Sequence, residues 1–315
     1  MNNQNVILEY ISSSQNVRKS ELSVLFTSRS GAGAWKVRGE QIAATRTNWW
    51  ALNKPKPDDV NKCDVLCVVK RPDFELIEFA KQKNKIIIYD IVDSWAQPSD
   101  GVKYTNKAGA KKLFLGMWSD IKADGFIFPT WTMSKQLGSL VTLSTTIYHH
   151  YLPNIGRNPV RKEVKTIGYE GGDYLGPWQN LIQKKCKTYN IEFLFNPKTY
   201  TDMDIAILAR GGDHGSYLSR NYKSNVKLAN AYGSGTPVLV HFDEMSAHDT
   251  DDGDVLFFTD DKSFERQLKL LMSNHSLRQK ISQNFLNVSS HYEIHHISNQ
   301  FEDYFMKVAF EKGVL

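Results

Sequence analysis

The residues of this sequence that can do chemistry are of three kinds. Carboxylates Asp90 and Asp93 fall at and just beyond the end of the apolar run Ile86-Ile87-Ile88-Tyr89, and the imidazoles of His149 and His150 sit side by side in Tyr148-His149-His150-Tyr151. Such groups accept a proton from a hydroxyl when their surroundings tune them. Cations recur where apolar runs stop: Lys70-Arg71 after Val65 to Val69, Arg210 after Ile205 to Leu208, and Lys223 with Lys227 ahead of an Ala-rich stretch. Spacing of four puts Lys223 and Lys227 on one face of a helix. Glycines mark the same junctions, in Gly168-Tyr169-Glu170-Gly171-Gly172, in Arg210-Gly211-Gly212-Asp213-His214-Gly215 and in the segment from Ser30 to Glu40 that holds Gly31, Gly33, Trp35 and Arg38. Glycine lets a ligand approach the backbone. The Ser30 to Glu40 segment joins a strand to a helix, where free N–H groups and the helix dipole favour an anion or polar ligand. Lys70 and Arg71, at another strand end, suit an anionic ligand.

These residues meet only if a scaffold gathers strand ends. The chain has 315 residues, 41% hydrophobic and 12% aromatic, with 20 Gly and 10 Pro, which excludes a disordered or collagenous chain. At ~150 residues per domain the length predicts two domains. The pattern predicts strand Leu22 to Phe26, helix Trp35 to Thr45, strand Asp64 to Val69, helix Phe74 to Ala80 and strand Ile86 to Ile91. It continues with helix Lys107 to Lys122 and strand Asp124 to Phe128, helix Thr132 to Leu140 and strand Thr145 to Tyr148. Repeated βα units predict a parallel sheet covered by helices on both faces. The aperiodic stretch Tyr151 to Pro159 marks a boundary, after which strands at 165–169, 191–195, 205–208, 237–241 and 255–259 alternate with helices Trp178 to Tyr189 and Lys223 to Tyr232. The fold class is therefore α/β, with two tandem Rossmann-like doubly wound domains over residues 1–155 and 156–290. A helical tail, 291–315, is expected to pack back on the first domain. Ligands in open α/β sheets sit outside the carboxyl ends of the strands, so the site is expected in the cleft between the domains.

Charge is uneven. Residues 1–155 hold 20 Lys and Arg against 14 Asp and Glu, whereas the rest is nearly balanced at 19 against 20. A basic half favours an acidic partner: a phosphorylated glycan, an anionic membrane surface or nucleic acid. No apolar run approaches the ~18 residues of a membrane span. The start, Met1-Asn2-Asn3-Gln4-Asn5, lacks a secretory pattern, so the expected location is the cytoplasm, with peripheral contact at the inner membrane surface as the alternative. Cys63 and Cys67 are expected as core residues on one strand face, and no metal site is expected. His291, Glu293 and His295 lack a third ligand at zincin spacing, and Asp249 to Asp254 lacks the spacing of a calcium loop and is expected to be solvated.

The stretch Arg220-Asn221-Tyr222-Lys223-Ser224-Asn225-Val226-Lys227-Leu228-Ala229-Asn230-Ala231-Tyr232-Gly233-Ser234-Gly235-Thr236-Pro237-Val238 runs from a polar, basic helix start to a Gly-Thr-Pro turn and a buried strand. Here the chain resembles glycosyltransferases of the GT-B fold, and the segment Gly33 to Ile42 is similar to the first loop and helix of bacterial members. The resemblance implies transfer of a sugar from a nucleotide-sugar donor to an acceptor, a bacterial surface glycan or its precursor, with no cofactor beyond the co-substrate and no metal. It places the donor on the second domain, against Gly171, Gly172, Arg210, Asp213, Lys223, Ser224, Asn225, Lys227 and Asn230. The acceptor falls to Gly31, Gly33, Trp35, Arg38, Lys70 and Arg71, and proton transfer to Asp93, His149 or His150. Many members carry two glutamates eight apart on this helix, at positions that are Tyr222 and Asn230 here. Other readings are a phage DNA-base glycosyltransferase, a non-catalytic sugar- or nucleotide-binding protein, and a nucleotide-dependent reductase.

Overall fold

The computed structural model describes residues 21–31, 33–93, 106–250 and 254–315, the side chains of Asp213 and His214 excepted. Six parallel strands form the first sheet: β1 (Val24–Ser28), β2 (Trp49–Asn53), β3 (Val65–Val69), β4 (Ile86–Asp90), β5 (Gly125–Phe128) and β6 (Ser144–Thr146), in the order β2-β1-β3-β4-β5-β6. Five more form the second: β7 (Thr166–Tyr169), β8 (Glu192–Phe195), β9 (Ile205–Leu208), β10 (Val238–His241) and β11 (Leu256–Phe258), in the order β11-β10-β9-β7-β8. The central strands are largely apolar because helices cover both faces; all five residues of β3 and of β4 are buried, Asp90 at the end of β4 included. The two doubly wound domains expected from the βα alternation are both present.

Three departures from the expected elements have local causes. β2 is a short edge strand, Trp49-Trp50-Ala51-Leu52-Asn53, with no alternation to reveal it, and it pairs in register with β1 from Val24↔Trp49 to Ser28↔Asn53. The helix over Gly33–Trp35 widens into a π-helical stretch, Lys36–Gln41. A Cβ on Gly39 would stand 2.5 Å from the Trp35 ring, so the stretch closes only around a glycine. Cys63 precedes β3 instead of lying in it, and it packs on the opposite side of the sheet from Cys67.

The second half of the chain returns to the first domain twice. Helix Ile294–Glu311 lays Ile297, Phe301, Tyr304, Phe305 and Val308 on the first sheet against Val24, Phe26, Val65 and Ile88. Gly125 permits this close approach, since a Cβ there would meet the Tyr304 hydroxyl at 2.6 Å. Helix Tyr217–Asn221 and the following Tyr222 also enter the first domain's core, where Tyr222 stands edge-on to Phe114 at 5.0 Å. Both tyrosine hydroxyls donate to Gln136 Oε1 at 3.0 Å. Residues 217–222 thus belong, by packing, to the domain that precedes them in sequence.

One buried ion pair ties these pieces together. Arg38 has no exposed surface and donates from Nε and Nη2 to both carboxylate oxygens of Asp90, at 2.8 and 3.0 Å. Its remaining nitrogen, Nη1, donates to the carbonyls of Ile147 and Tyr148 at 3.1 and 2.8 Å, and its guanidinium lies 4.6 Å above the Phe301 ring. Burial pushes the Asp90 carboxyl above its ordinary range while the Arg38 charge pulls it back. Arg38 is expected from the sequence to meet an acceptor in the cleft; fully enclosed and with every guanidinium nitrogen bonded inside the protein, it has no surface to offer one. Removing one partner of such a pair strands the other charge in the core, which costs about 3–5 kcal/mol. Arg38→Met is therefore expected to destabilise the first domain by about that amount in urea unfolding, and Arg38→Met with Asp90→Leu to recover most of the loss.

Candidate functional site

Strand order reverses beside β1 in the first sheet and beside β7 in the second, and such switch points leave an open crevice at the carboxyl ends of the strands. The side chains at those ends converge. Lys70 follows β3 in a left-handed turn with φ +59°, and Asp93 lies just past β4. From the other domain come Glu170 after β7, Arg210 after β9 and Glu244 after β10, while Lys223 and Ser224 precede helix Val226–Ser234.

One carboxylate is shared between the domains. Asp93 lies 2.6 Å from Lys70 Nζ of its own domain and 3.3 Å from Lys223 Nζ of the other. Burial alone would raise the Asp93 carboxyl, but the Lys223 and Lys70 charges outweigh it and hold the group below its ordinary value. Lys223 responds oppositely: burial, reinforced by Arg210 and Lys70 against the pull of Asp93, lowers its ammonium to about 8. Lys227, one helical turn on, is also pushed well down by burial and by Arg210. Its ammonium lies over the Tyr169 ring, 4.0 Å from the centroid, and forms no ion pair with the described residues. Arg210 pairs with Glu244, whose side chain is 3% exposed.

Gly171 is required where it stands. Its φ is +137°, its N–H donates to Asn196 Oδ1 at 2.7 Å, and a Cβ would reach within 2.9 Å of Lys227 Nζ. Gly172 faces the Tyr174 ring, which a Cβ would meet at 2.8 Å. A Cβ on Gly31 would meet Asn53 Nδ2 at an ordinary 3.6 Å, and one on Gly33 would meet nothing within 4 Å among the described residues. Arg71 is half-buried at the cleft edge of β3, and its carbonyl accepts from Arg29 N–H at 2.8 Å. The Asp213 side chain lies outside the described residues.

Several expected ligand contacts are replaced by internal ones. The helix expected from Lys223 begins at Val226, because Tyr222 is drawn into the first domain's core and the chain must turn before the helix starts. Lys223 and Ser224 therefore act from a loop and not from helical N–H groups. Asn225 and Asn230, each 1% exposed, hold the interdomain crossing: Asn225 Oδ1 accepts from His149 N–H at 3.0 Å and Asn230 Oδ1 from Leu152 N–H at 2.9 Å. Both ring nitrogens of His150 face carbonyls, Tyr151 at 2.7 Å and Val37 at 3.0 Å, and burial lowers the ring's basicity, so the neutral ring donates to one of the two and serves as a tether. Trp35 is 4% exposed and donates its indole N–H to Glu40 at 3.0 Å, which takes it out of the acceptor surface. Asp249 is not a solvated loop residue; it accepts from Thr132 N–H at 2.8 Å across the domain boundary. His149 is 2% exposed with both ring nitrogens unpartnered, and burial together with Arg38, His150 and Lys70 keeps it well below its ordinary value and so neutral.

Glu170 and Glu244 were not singled out from the sequence. Glu170 accepts from Tyr200 Oη at 2.6 Å and from Asn230 Nδ2 at 3.2 Å, beside Lys227. The signal was there for both, since each lies within a few residues of a strand's carboxyl end. Among the described residues no three His, Cys, Asp or Glu side chains cluster in a way that would hold a metal, and Glu293 instead caps helix Ile294–Glu311 through His295 and His296 N–H.

Two sheets with facing carboxyl ends, a helix returning from the end of the chain and a charged crevice between them define the architecture. The chain has the GT-B fold. A sucrose-phosphate synthase from Thermosynechococcus elongatus superposes with TM-score 0.60 at 10% identity, covering 90% of this chain and 98% of that one. The N-terminal domain of Candida albicans trehalose-6-phosphate phosphatase gives 0.59 at 9%, over 93% and 98%. The Thermobaculum terrenum O-GlcNAc transferase gives 0.51 at 10%, over 91% and 68%. No family model and no curated protein matches the sequence. At these identities the likeness is one of fold.

The lowered Lys223 ammonium gives the GT-B crevice a pH limit. Its charge is complete well below pH 8 and is lost as pH rises through 8, so pyrophosphate affinity measured by calorimetry is expected to fall by up to about tenfold per unit above pH 8. Asp93→Asn removes the anion that supports that charge and is expected to move the fall to lower pH.

Proposed function

We propose that this protein is a glycosyltransferase that uses a nucleotide-sugar donor. The observation that carries the proposal is the convergence of Lys223, Lys227 and Arg210 at the carboxyl edge of the second sheet, with Lys227 poised over Tyr169 and paired with no carboxylate among the described residues. Departure of a nucleoside diphosphate builds negative charge on its phosphate oxygens, and cations fixed in a partly dry crevice stabilise that charge as it forms. Gly171 supports the same assignment, because it lets backbone and phosphate come together beside the Lys227 ammonium. The fold neighbours include synthases, a transferase and the N-terminal domain of a phosphatase, so the proposal rests on these residues and not on the fold.

The first domain, with Lys70 and Arg71 at its edge and an excess of basic residues, receives the acceptor, which we assign as a bacterial surface glycan or its precursor. Contact of this basic domain with an anionic membrane surface, from the cytoplasmic side, would bring a lipid-linked precursor within reach. Asp93, held ionised between two ammonium groups, is a weak base whose work is to position Lys70 and Lys223. His149 is as enclosed as Trp35, and burial with Arg38, His150 and Lys70 lowers its basicity well below the ordinary value, so of the three expected proton acceptors none stands open to an acceptor hydroxyl. The lysines and arginine supply the positive charge that a divalent metal would otherwise bring, so turnover is expected to persist in EDTA.

The test is a thermal-shift screen against UDP, GDP, ADP, CMP and their sugar conjugates, because a ligand of the native state raises the melting temperature by mass action. One nucleotide class is expected to stabilise the wild type, and Lys227→Ala to lose most of that shift while melting normally without ligand. Stabilisation by NAD alone, or by free sugars with no nucleotide requirement, would overturn the proposal.

A further inference from the structure

The chain leaves the second domain after β9, where Ala209 still lies in that domain's core, and rejoins that core at Leu228. In between it forms a strap. Leu218 and Tyr222, 1% and 0% exposed, sit in the core of the first domain with Phe114, Met133 and Leu137. The Tyr222 ring stands edge-on to both Phe114 and Tyr217, at 5.0 and 6.1 Å, and the hydroxyls of Tyr217 and Tyr222 converge on Gln136 Oε1. An amide oxygen has two lone pairs, so one acceptor satisfies both donors. Arg220 faces the other way and pairs with Asp243 of the second domain.

Lys223 comes directly after the strap. Two residues, Lys223 and Ser224, separate Tyr222 from Asn225, which is 1% exposed and accepts from His149 N–H at 3.0 Å. Three Cα–Cα steps reach at most about 11 Å, so the Lys223 backbone has little freedom between those two anchors. Lys227 is placed differently, on a helix that packs Leu228, Ala229 and Ala231 into the second domain's core. The two ammonium groups of the crevice are thus held by different domains, Lys223 beside Asp93 of the first and Lys227 over Tyr169 of the second. We propose that Tyr222 is a positioning residue for Lys223, its ring locking the ammonium to the first domain so that a bound diphosphate is gripped by one lysine from each side. The diphosphate rests on the nucleotide-sugar reading above, whereas the positioning does not. Enclosed with Asp93, Lys70 and Arg210, the Lys223 ammonium is lowered to about 8, and one released to water would titrate near the ordinary lysine value of about 10.4.

Competitive acetylation of the full chain without ligand, read lysine by lysine in a mass spectrometer, follows that difference directly. Removing the Tyr222 ring would also empty part of the first domain's core, so the separating variant leaves every core residue in place: two glycines inserted between Tyr222 and Lys223. Lengthening a loop by two residues costs little, and the melting temperature is expected to stay within a few degrees of the wild type. Lys223 is expected to titrate at about 8 in the wild type and in Tyr222→Phe, which keeps the ring and leaves Gln136 to Tyr217, and near the ordinary lysine value in the insertion variant. Pyrophosphate affinity at pH 7 is expected to fall about tenfold or more in the insertion variant, and its loss above pH 8 to move with the titration. A strap that served stability alone would leave the Lys223 titration where it was, and that result in the insertion variant would overturn the proposal. A shifted titration in a protein whose wild type binds no nucleotide would overturn the donor reading alone.

Discussion

A guanidinium with no access to water must find every partner inside the protein, and the placement of Arg38 organises much of this molecule. Its fork takes the Asp90 carboxylate at the end of β4, its remaining nitrogen takes two carbonyls of the interdomain crossing, and its face packs on Phe301 of the returning helix. Three pieces remote in sequence are thus set relative to one another by one side chain. The directional bonds matter more than the energy of the pair, since an apolar replacement of similar volume can be as stable. What an apolar pair cannot supply is the anchoring of the Ile147 and Tyr148 carbonyls, which sit immediately before His149.

From that anchor the crossing is held from the other side by Asn225 and Asn230, whose amide oxygens accept from His149 and Leu152. His149 is therefore gripped by both domains, with its backbone tied to the second and the residues before it tied to the first. Asp93 repeats the pattern in charge: one carboxylate shared by a lysine from each domain. Two like charges brought together at the crevice would repel, and the shared anion offsets that repulsion while no ligand is present. A donor phosphate bound as proposed would compete for the same ammonium groups, so that ligand binding and the contact between domains would draw on one set of charges.

Parallel strands buried on both faces write themselves as continuous apolar runs, and for that reason β3, β4, β7, β9 and β10 were legible from local pattern alone. The strand-end position of Lys70, Asp93, Gly171 and Arg210 followed from the same pattern, since a residue just past a buried run in an open α/β sheet emerges at the crevice. Edge strand β2, with neither alternation nor an apolar run, left no such trace. The helix start was misplaced at Lys223 because the polar, basic sequence there fits a first turn, and only the burial of Tyr222 in the other domain forces the turn that delays it to Val226. Glu170 and Glu244 are not distinguished by local pattern, because a lone acidic residue in a loop has the same signature as solvated surface until its neighbours are known.

The sequence by itself determined the fold class, the two-domain division of strands and helices and the edge of the sheets where polar chemistry gathers, because these depend on hydrophobic periodicity, which is local. Only the tertiary structure decided which polar residues face a ligand and which face each other. Arg38, Trp35, His150, Asn225 and Asn230 have the same residue types as a binding site, yet most of their hydrogen-bonding capacity is used within the protein. The reason is physical: a polar side chain that burial removes from water must be paired, and its partner comes from wherever the fold brings a complementary group within about 3 Å, at sequence separations that no local pattern encodes.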